Sequence, residues 1–349
     1  MNEEKEITPW KILIIDDELD IHTVTTMTLK RLVFQERPVS FVHAYSGSEG
    51  LACMKAHTDI AVALLDVVME TDSAGLDIVR SIREDLNNTN VRLIIRTGVP
   101  GSAPEEQVTL DYDINDYQSK IDLTAQKLRT IIITALRSYQ ALLTIQKLNK
   151  EIENTQKELI YTLGEIAESR SIDTSYHVKR VGLISGFIAK KMGYPSEEFD
   201  RLELSASMHD LGKLAIDDRI LNKPGPLSTE EFEQIKNHSV FGYEILKNSD
   251  RTLLREAATI AYEHHENYDG TGYPQGLKGD SIDRNSRIVA VVDVFDALAT
   301  KRVYKAVWPQ DEIIEFLISE RGKKFDPEVV DILLKYIDEI NILIHDLIV

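Results

Sequence analysis

The chain has 349 residues, 43% of them apolar, and 58 acidic against 40 basic side chains give a formal charge of −18. That apolar content sustains packed cores, the acidity excludes a broad basic groove for a nucleic-acid polymer, and no apolar run approaches the roughly 18 residues of a membrane span. The lone Cys53 leaves no internal disulfide and no cysteine zinc site, and the acidic opening MNEEKEITPW has no apolar signal core, which points to a cytoplasmic protein.

In chain order, KILIIDD (11–17), IAVALLD (60–66) and VRLIIRTG (91–98) are short, β-branched apolar runs of the kind that form buried parallel strands. Helical patterns such as 19–35 and 75–86 separate them. This β-α-β rhythm over residues 1–123 predicts a doubly wound α/β domain with a flavodoxin-like parallel sheet. Ligands of such sheets gather at the strand carboxyl ends, and these runs end on Asp16–Asp17, Asp66 and Thr97. Three carboxylates so placed repel one another unless a hard divalent cation, Mg²⁺ or Mn²⁺, sits among them. With the Thr97 hydroxyl and the Lys120 ammonium nearby, the set suits a phosphoryl group carried on an aspartate. The segment also holds a net −11 of the charge, from 11 basic and 22 acidic residues.

Residues 124–169 contain no proline and read as one long helix, with Ile145, Ile152 and Leu159 recurring every seven residues. A heptad seam of this kind predicts a helical linker over 124–160 that pairs with a second copy in a homodimer. Beyond residue 170 strand signals largely vanish. Segments 177–192, 198–211, 229–247, 251–267, 286–300 and 310–349 read as helices broken at Gly and Pro, an all-helical domain over 161–349. Five of the nine histidines (His177, His209, His238, His264, His265) cluster between 177 and 265, with Asp210 among them and Asp293 beyond. Imidazole and carboxylate without thiolate suit Fe or Mn, with Ni or Zn as alternatives.

Residues 8–123 resemble the receiver domain of two-component response regulators. The resemblance implies that Asp66 takes phosphate from a cognate histidine kinase, that Asp16 and Asp17 hold Mg²⁺, and that Thr97, Tyr117 and Lys120 are the switch residues. Two departures stand out: Ile121 replaces the usual proline after Lys120, and VVMETDSAGLD (67–77) replaces a shorter, proline-containing loop.

MHDLGK (208–213), KPGPLS (223–228), HHENYDGTGYP (264–274), VVDVFDAL (291–298) and KFDPEVV (324–330) resemble the HD-GYP phosphodiesterases. That resemblance implies a metal pair held by His209, Asp210, His238, His264, His265 and Asp293, with Asp210 bridging and His177 as a further ligand. Asp173 falls where three-metal members have glutamate. Lys213, Arg302 and Lys305 match the basic residues that meet the substrate phosphate, while Ala299 and Val303 depart from the usual threonine and proline. Gly270, Gly272 and Tyr273 give a backbone that a bulky nucleotide can approach, with an aromatic wall beside it. The implied activity is metal-dependent hydrolysis of cyclic di-GMP to pGpG, and onward to GMP, under control of Asp66 phosphorylation. Catalysis would centre on Asp210 and Lys213. A cyclic GMP-AMP phosphodiesterase and a catalytically weak signalling scaffold are the alternatives.

Overall fold

A computed structural model describes residues 8–69, 71, 74–98, 113–170, 176–300 and 308–346. The chain divides into two compact units, Met1–Glu151 and Ile152–Val349.

The first unit is built on a six-stranded sheet: β1 (Trp10–Ile15), β2 (Val33–Phe34), β3 (Arg37–Ala44), β4 (Ile60–Asp66), β5 (Arg92–Thr97) and β6 (Asp116–Ser119). Its order is β2-β3-β1-β4-β5-β6, parallel throughout except for β2 against β3. Every residue of β4 and β5 is buried, as a sheet covered on both faces requires. The two-residue period sends alternate side chains to opposite cores. Leu13, Ile15, Leu65 and Ile95 pack with α2 (Gly47–Ala56) and α3 (Ala74–Arg80), whereas Ile12, Ile14, Leu64 and Ile94 pack with Leu128, Ile132 and Leu136. Each fully buried aliphatic side chain contributes about 1.5–3 kcal/mol.

Two expectations are corrected in this unit. The helix expected over 19–35 stops early: α1 spans Leu19–Leu29, and Gln35 and Glu36, at φ of 49° and 63°, turn a tight hairpin from β2 into β3. Strand β3 itself escapes the apolar-run criterion because RPVSFVHA is only partly buried and mixes polar with apolar residues. The expected 75–86 helix is α3 continued by a wider, π-type turn over Ser81–Asp85.

The long helix, α4, spans Ala125–Ser169 without a break, and the division between the units falls within it. Leu143, Ile145, Leu148, Ile152, Leu159, Leu163 and Ile166 are exposed along it. Among the described residues no helix is long and apolar enough to cross a membrane.

The second unit is helical: α5 (Tyr176–Lys191), α6 (Ser196–Ala206), a 3₁₀ turn (Leu211–Ala215), α7 (Asp218–Leu221), α8 (Thr229–Leu246), α9 (Thr252–Glu263), α10 (Arg284–Ala299), α11 (Gln310–Glu320), α12 (Pro327–Lys335) and α13 (Ile337–Asp346). Caps set several starts. Ser228 and Glu231 form a reciprocal capping box at α8, and Asp326 caps α12 ahead of Pro327. One core joins Val181, Ile184, Ile288, Val292, Phe295, Leu317 and Val330. His209 and Asp210 lie in the turn between α6 and the 3₁₀ segment, not on a helix as 198–211 predicts. Gly212 explains the tight approach there: a Cβ on it would stand 1.9 Å from the His238 carbonyl oxygen and 2.4 Å from the Gly242 nitrogen. The turn is thereby pressed directly against α8.

Candidate metal centre and phosphoacceptor pocket

In the helical unit, all seven histidine and aspartate candidates converge. Two groups have ligand atoms mutually within 4.8 Å: Asp210 with His238, His264 and His265, and His177 with His209 and Asp293. Asp210 lies between them. Its Oδ1 is 3.2 Å from His238 Nε2 and 3.7 Å from His264 Nε2, while its Oδ2 is 3.2 Å from His209 Nε2. Asp293 Oδ1 is 3.3 Å from His177 Nε2 and 3.9 Å from His209 Nε2.

The ring orientations follow from the far nitrogens. His209 Nδ1 meets the Ala206 carbonyl at 2.9 Å, His238 Nδ1 that of Ile235 at 2.6 Å, and His264 Nδ1 those of Ile260 and Ala261 at 3.1 Å. A carbonyl only accepts, so each Nδ1 carries the proton and each Nε2 turns a lone pair toward the cluster. His177 Nδ1 donates instead to Asp296 at 2.7 Å. Asp296 is fully buried and also accepts from Arg180 Nε at 2.5 Å and Nη2 at 2.9 Å.

These groups fit divalent cations. His209 Nε2 and Asp210 Oδ1 are buried without a hydrogen-bond partner, a costly arrangement unless a ligand meets them. The protonation states differ across the set, and Asp210 holds the His209 imidazole above its ordinary value despite burial. Burial pushes His265 well below the ordinary imidazole value and His264 below it, so both are neutral and able to accept a cation. For His177 burial acts the same way, but hydrogen bonds to Asp293 and Asp296 outweigh it and hold the imidazole up at about 10. Asp210 resists its burial because Lys213 and His209 hold its carboxyl well below the usual range.

Lys213 Nζ lies 2.7 Å from Asp210 Oδ2 and 2.6 Å from Glu168 Oε1. Arg170 bonds the carbonyls of Lys213 and Ile216 at 3.2 and 3.0 Å, and so clamps the 3₁₀ turn. A cavity of about 320 Å³ opens on the cluster, lined by Asp210, Lys213, Ile235, His265, Tyr273 and Asp293, among others. Beside it, Gly272 presses on the chain, since a Cβ there would come within 2.2 Å of the Asn267 nitrogen. Tyr273 packs on His265 with ring centroids 4.8 Å apart and the planes tilted by 34°. The loop is pinned from below: Glu266, 3% exposed, accepts from the N–H groups of Gln275, Gly276 and Leu277 at 2.7, 3.1 and 3.0 Å. Asp173, Arg302 and Lys305 lie outside the described residues, as does Val303.

In the α/β unit, Asp16, Asp17 and Asp66 form the third group of ligand atoms within 4.8 Å of one another. Asp16 and Asp66 are buried and Asp17 is exposed. Lys120 Nζ reaches Asp66 at 2.9 Å, Asp16 at 3.2 Å and Glu18 at 2.9 Å. Burial raises the Asp66 carboxyl, with Lys120 pulling the other way. Thr97 is buried at the end of β5, and its carbonyl accepts from the Lys120 N–H at 2.7 Å. Tyr117, on β6, packs half-buried against the Leu13 face of the core.

A model of the HD domain matches residues 161–329. The 3'3'-cGAMP-specific phosphodiesterase 2 of Vibrio cholerae is 31% identical over 95% of this chain and 92% of its own length. The cyclic di-GMP phosphodiesterase response regulator RpfG of Xanthomonas campestris is 33% identical over 95% of this chain and 89% of its own. The chain belongs to the HD-GYP response regulators. A cyclic di-GMP phosphodiesterase of Thermotoga maritima is 41% identical over 57% of this chain and 54% of its own length. As an HD-GYP protein the chain is a metal-dependent phosphodiesterase, its helical unit carries the divalent-metal chemistry, and its N-terminal unit is a receiver.

Several functional side chains of this HD-GYP chain escape motif reading. Glu168, Asp296, Arg180 and Glu266 are buried charges that hold the motif residues in place, and Glu18 and Arg96 do so in the receiver. Two of them carried a signal: Glu266 stands inside HHENYDGTGYP, and Asp296, inside VVDVFDAL, follows Asp293 by three positions and therefore shares its helix face.

Proposed function

We propose that the chain hydrolyses cyclic di-GMP to pGpG, and onward to GMP, under control of Asp66 phosphorylation. The observation that carries this reading is the meeting of two ligand groups at Asp210, beside Lys213, in one cavity. His238, His264 and His265 would hold one cation and His177, His209 and Asp293 the other, with Asp210 shared. Fe or Mn suits this nitrogen and carboxylate set, and Asp173 would serve any third ion. When bound, such ions lower the pKa of a water and draw charge from phosphoryl oxygens.

The residues of the chain do the rest. Lys213 remains cationic beside two carboxylates, its ammonium held well above the ordinary lysine value by Asp210 and Glu168 despite burial. It thus presents a positive charge to the phosphate, with Arg302 and Lys305 in the same role. Tyr273 and Gly272 bound the space for the nucleoside. At the receiver, Asp66 accepts phosphate from a histidine kinase, Asp16 and Asp17 hold Mg²⁺, and Thr97, Lys120 and Tyr117 respond. The receiver spans 1–123, the helical linker 124–160 and the phosphodiesterase domain 161–349, in a cytoplasmic homodimer paired along the exposed stripe of α4.

The Vibrio cholerae relative supports a second reading, with cyclic GMP-AMP as the substrate. Metal-loaded protein incubated with each dinucleotide, with products separated by chromatography, decides between them. Cyclic di-GMP turnover that disappears in Asp210→Ala is expected. A protein that leaves both dinucleotides intact sinks the reading. Activity unchanged by beryllofluoride sinks the control.

A further inference from the structure

The cavity opens to solvent above the Asp210 cluster, so the bases of a dinucleotide whose phosphate meets Lys213 would meet side chains at its rim. One rim is built by the first turns of α8. The capping box at Ser228 starts that helix, and the i, i+3, i+4 spacing brings Phe232 and Glu233, both exposed, together with the partly covered Lys236 on one face. Lys236 Nζ sits 5.0 Å from the Phe232 ring centroid and 5.3 Å from that of Tyr273. It also lies 2.6 Å from Glu233 Oε1. Ile235, on the same helix, lines the cavity, as does Tyr273.

Fold stability does not call for this group. An exposed Lys–Glu pair is worth at most about 1 kcal/mol, and Phe232 leaves 47% of its surface in water. Two aromatic rings within reach of one ammonium, itself paired with a carboxylate, are however a recognisable chemical pattern. Guanine presents the O6 acceptor beside N1–H and N2–H donors, which complements a cation adjacent to a carboxylate. Adenine places an N6 donor where guanine has O6, so it would face the ammonium donor to donor.

Resting on the proposed cyclic-dinucleotide hydrolysis, we propose that Lys236 and Glu233 are the specificity-determining pair that reads guanine, with Phe232 and Tyr273 stacking the base. Lys236 donates to O6, and Glu233 accepts from N1–H and N2–H. Lys213 and Tyr273 line the same cavity. Each aromatic platform adds sequence-tolerant stacking, and the charged pair supplies the discrimination.

The test measures binding and hydrolysis separately on the full-length, metal-loaded chain, with cyclic di-GMP and cyclic di-AMP as probes. Wild-type protein is expected to bind cyclic di-GMP at least about tenfold more tightly than cyclic di-AMP by calorimetry. Lys236→Met and Glu233→Gln should each shrink that ratio by several-fold while leaving metal content unchanged and cyclic di-AMP binding no weaker. Phe232→Ala should weaken both ligands together. Equal losses for both ligands in the Lys236 and Glu233 variants, or an unchanged ratio, overturn the inference. Protein that hydrolyses neither dinucleotide yet shows the Lys236-dependent guanine preference refutes the proposed reaction and keeps this inference. Hydrolysis with an unaltered preference does the reverse, and absence of both binding and hydrolysis overturns the two together.

Discussion

The carboxylate of Glu168, wholly buried in the last turn of the 45-residue helix, accepts from the Lys213 ammonium at 2.6 Å. Lys213 also touches Asp210, so one cation ties the end of that helix to the centre of the candidate metal site. Truncating Glu168 leaves a largely buried ammonium with one carboxylate in place of two. Breaking such a pair costs about 3 kcal/mol. Glu168→Ala should therefore lose that much in urea unfolding, while Glu168→Gln, which keeps an acceptor, should lose clearly less.

On the proposed reading, Asp296 would act on a bound metal through His177. It accepts from Nδ1 and is itself clamped by Arg180, all three being buried. Loss of such an orienting carboxylate typically weakens metal binding about 10–100-fold. Asp296→Asn should show that drop in a chelator competition titration. Ser319→Ala, on an exposed helix end, is the control expected to show none.

Metal loading should release protons. With His177 held at about 10 in the metal-free protein, the imidazole is charged at pH 7, and a ligand must be neutral. Apparent affinity at this position should rise with pH and level off near 10, by up to about tenfold per pH unit. Calorimetry in buffers of different ionisation enthalpy reads the proton count. The folding linkage has the matching sign: a raised imidazole stabilises the metal-free fold fully below about 6.5, and that contribution fades as pH climbs through 10.

Gly212→Ala tests the seam between the 3₁₀ turn and α8. Both atoms that a Cβ would strike are backbone, at 1.9 and 2.4 Å, so no side chain can swing away. A loss of about 3 kcal/mol is expected, with metal content falling in parallel because His209–Asp210 and His238 lie on the two sides of the seam.

The sheet and its acidic end were legible in the sequence because β1, β4 and β5 are buried on both faces and read as unbroken apolar runs. Strand β3 was hidden by its partial burial, and the end of α1 by a turn whose positive φ falls on Gln35 and Glu36 rather than on glycine. The seven metal-site candidates were legible as residue types at motif spacing. Their supports were not: Glu168 and Arg180 are acidic and basic positions on amphipathic helices, and nothing local distinguishes a buried charge from a solvated one. Only the fold brings Glu168 to Lys213, 45 residues away, or Arg180 to Asp296, 116 residues away.

Three of the site histidines fasten their Nδ1 protons to carbonyls three or four residues back on their own segments. Their aim is thus part of the local backbone and owes nothing to a bound ion. Chelated protein should therefore keep its helices, and metal added back should restore activity with no refolding step. An enzyme of this kind can be silenced and revived by metal supply alone, without new synthesis of the chain.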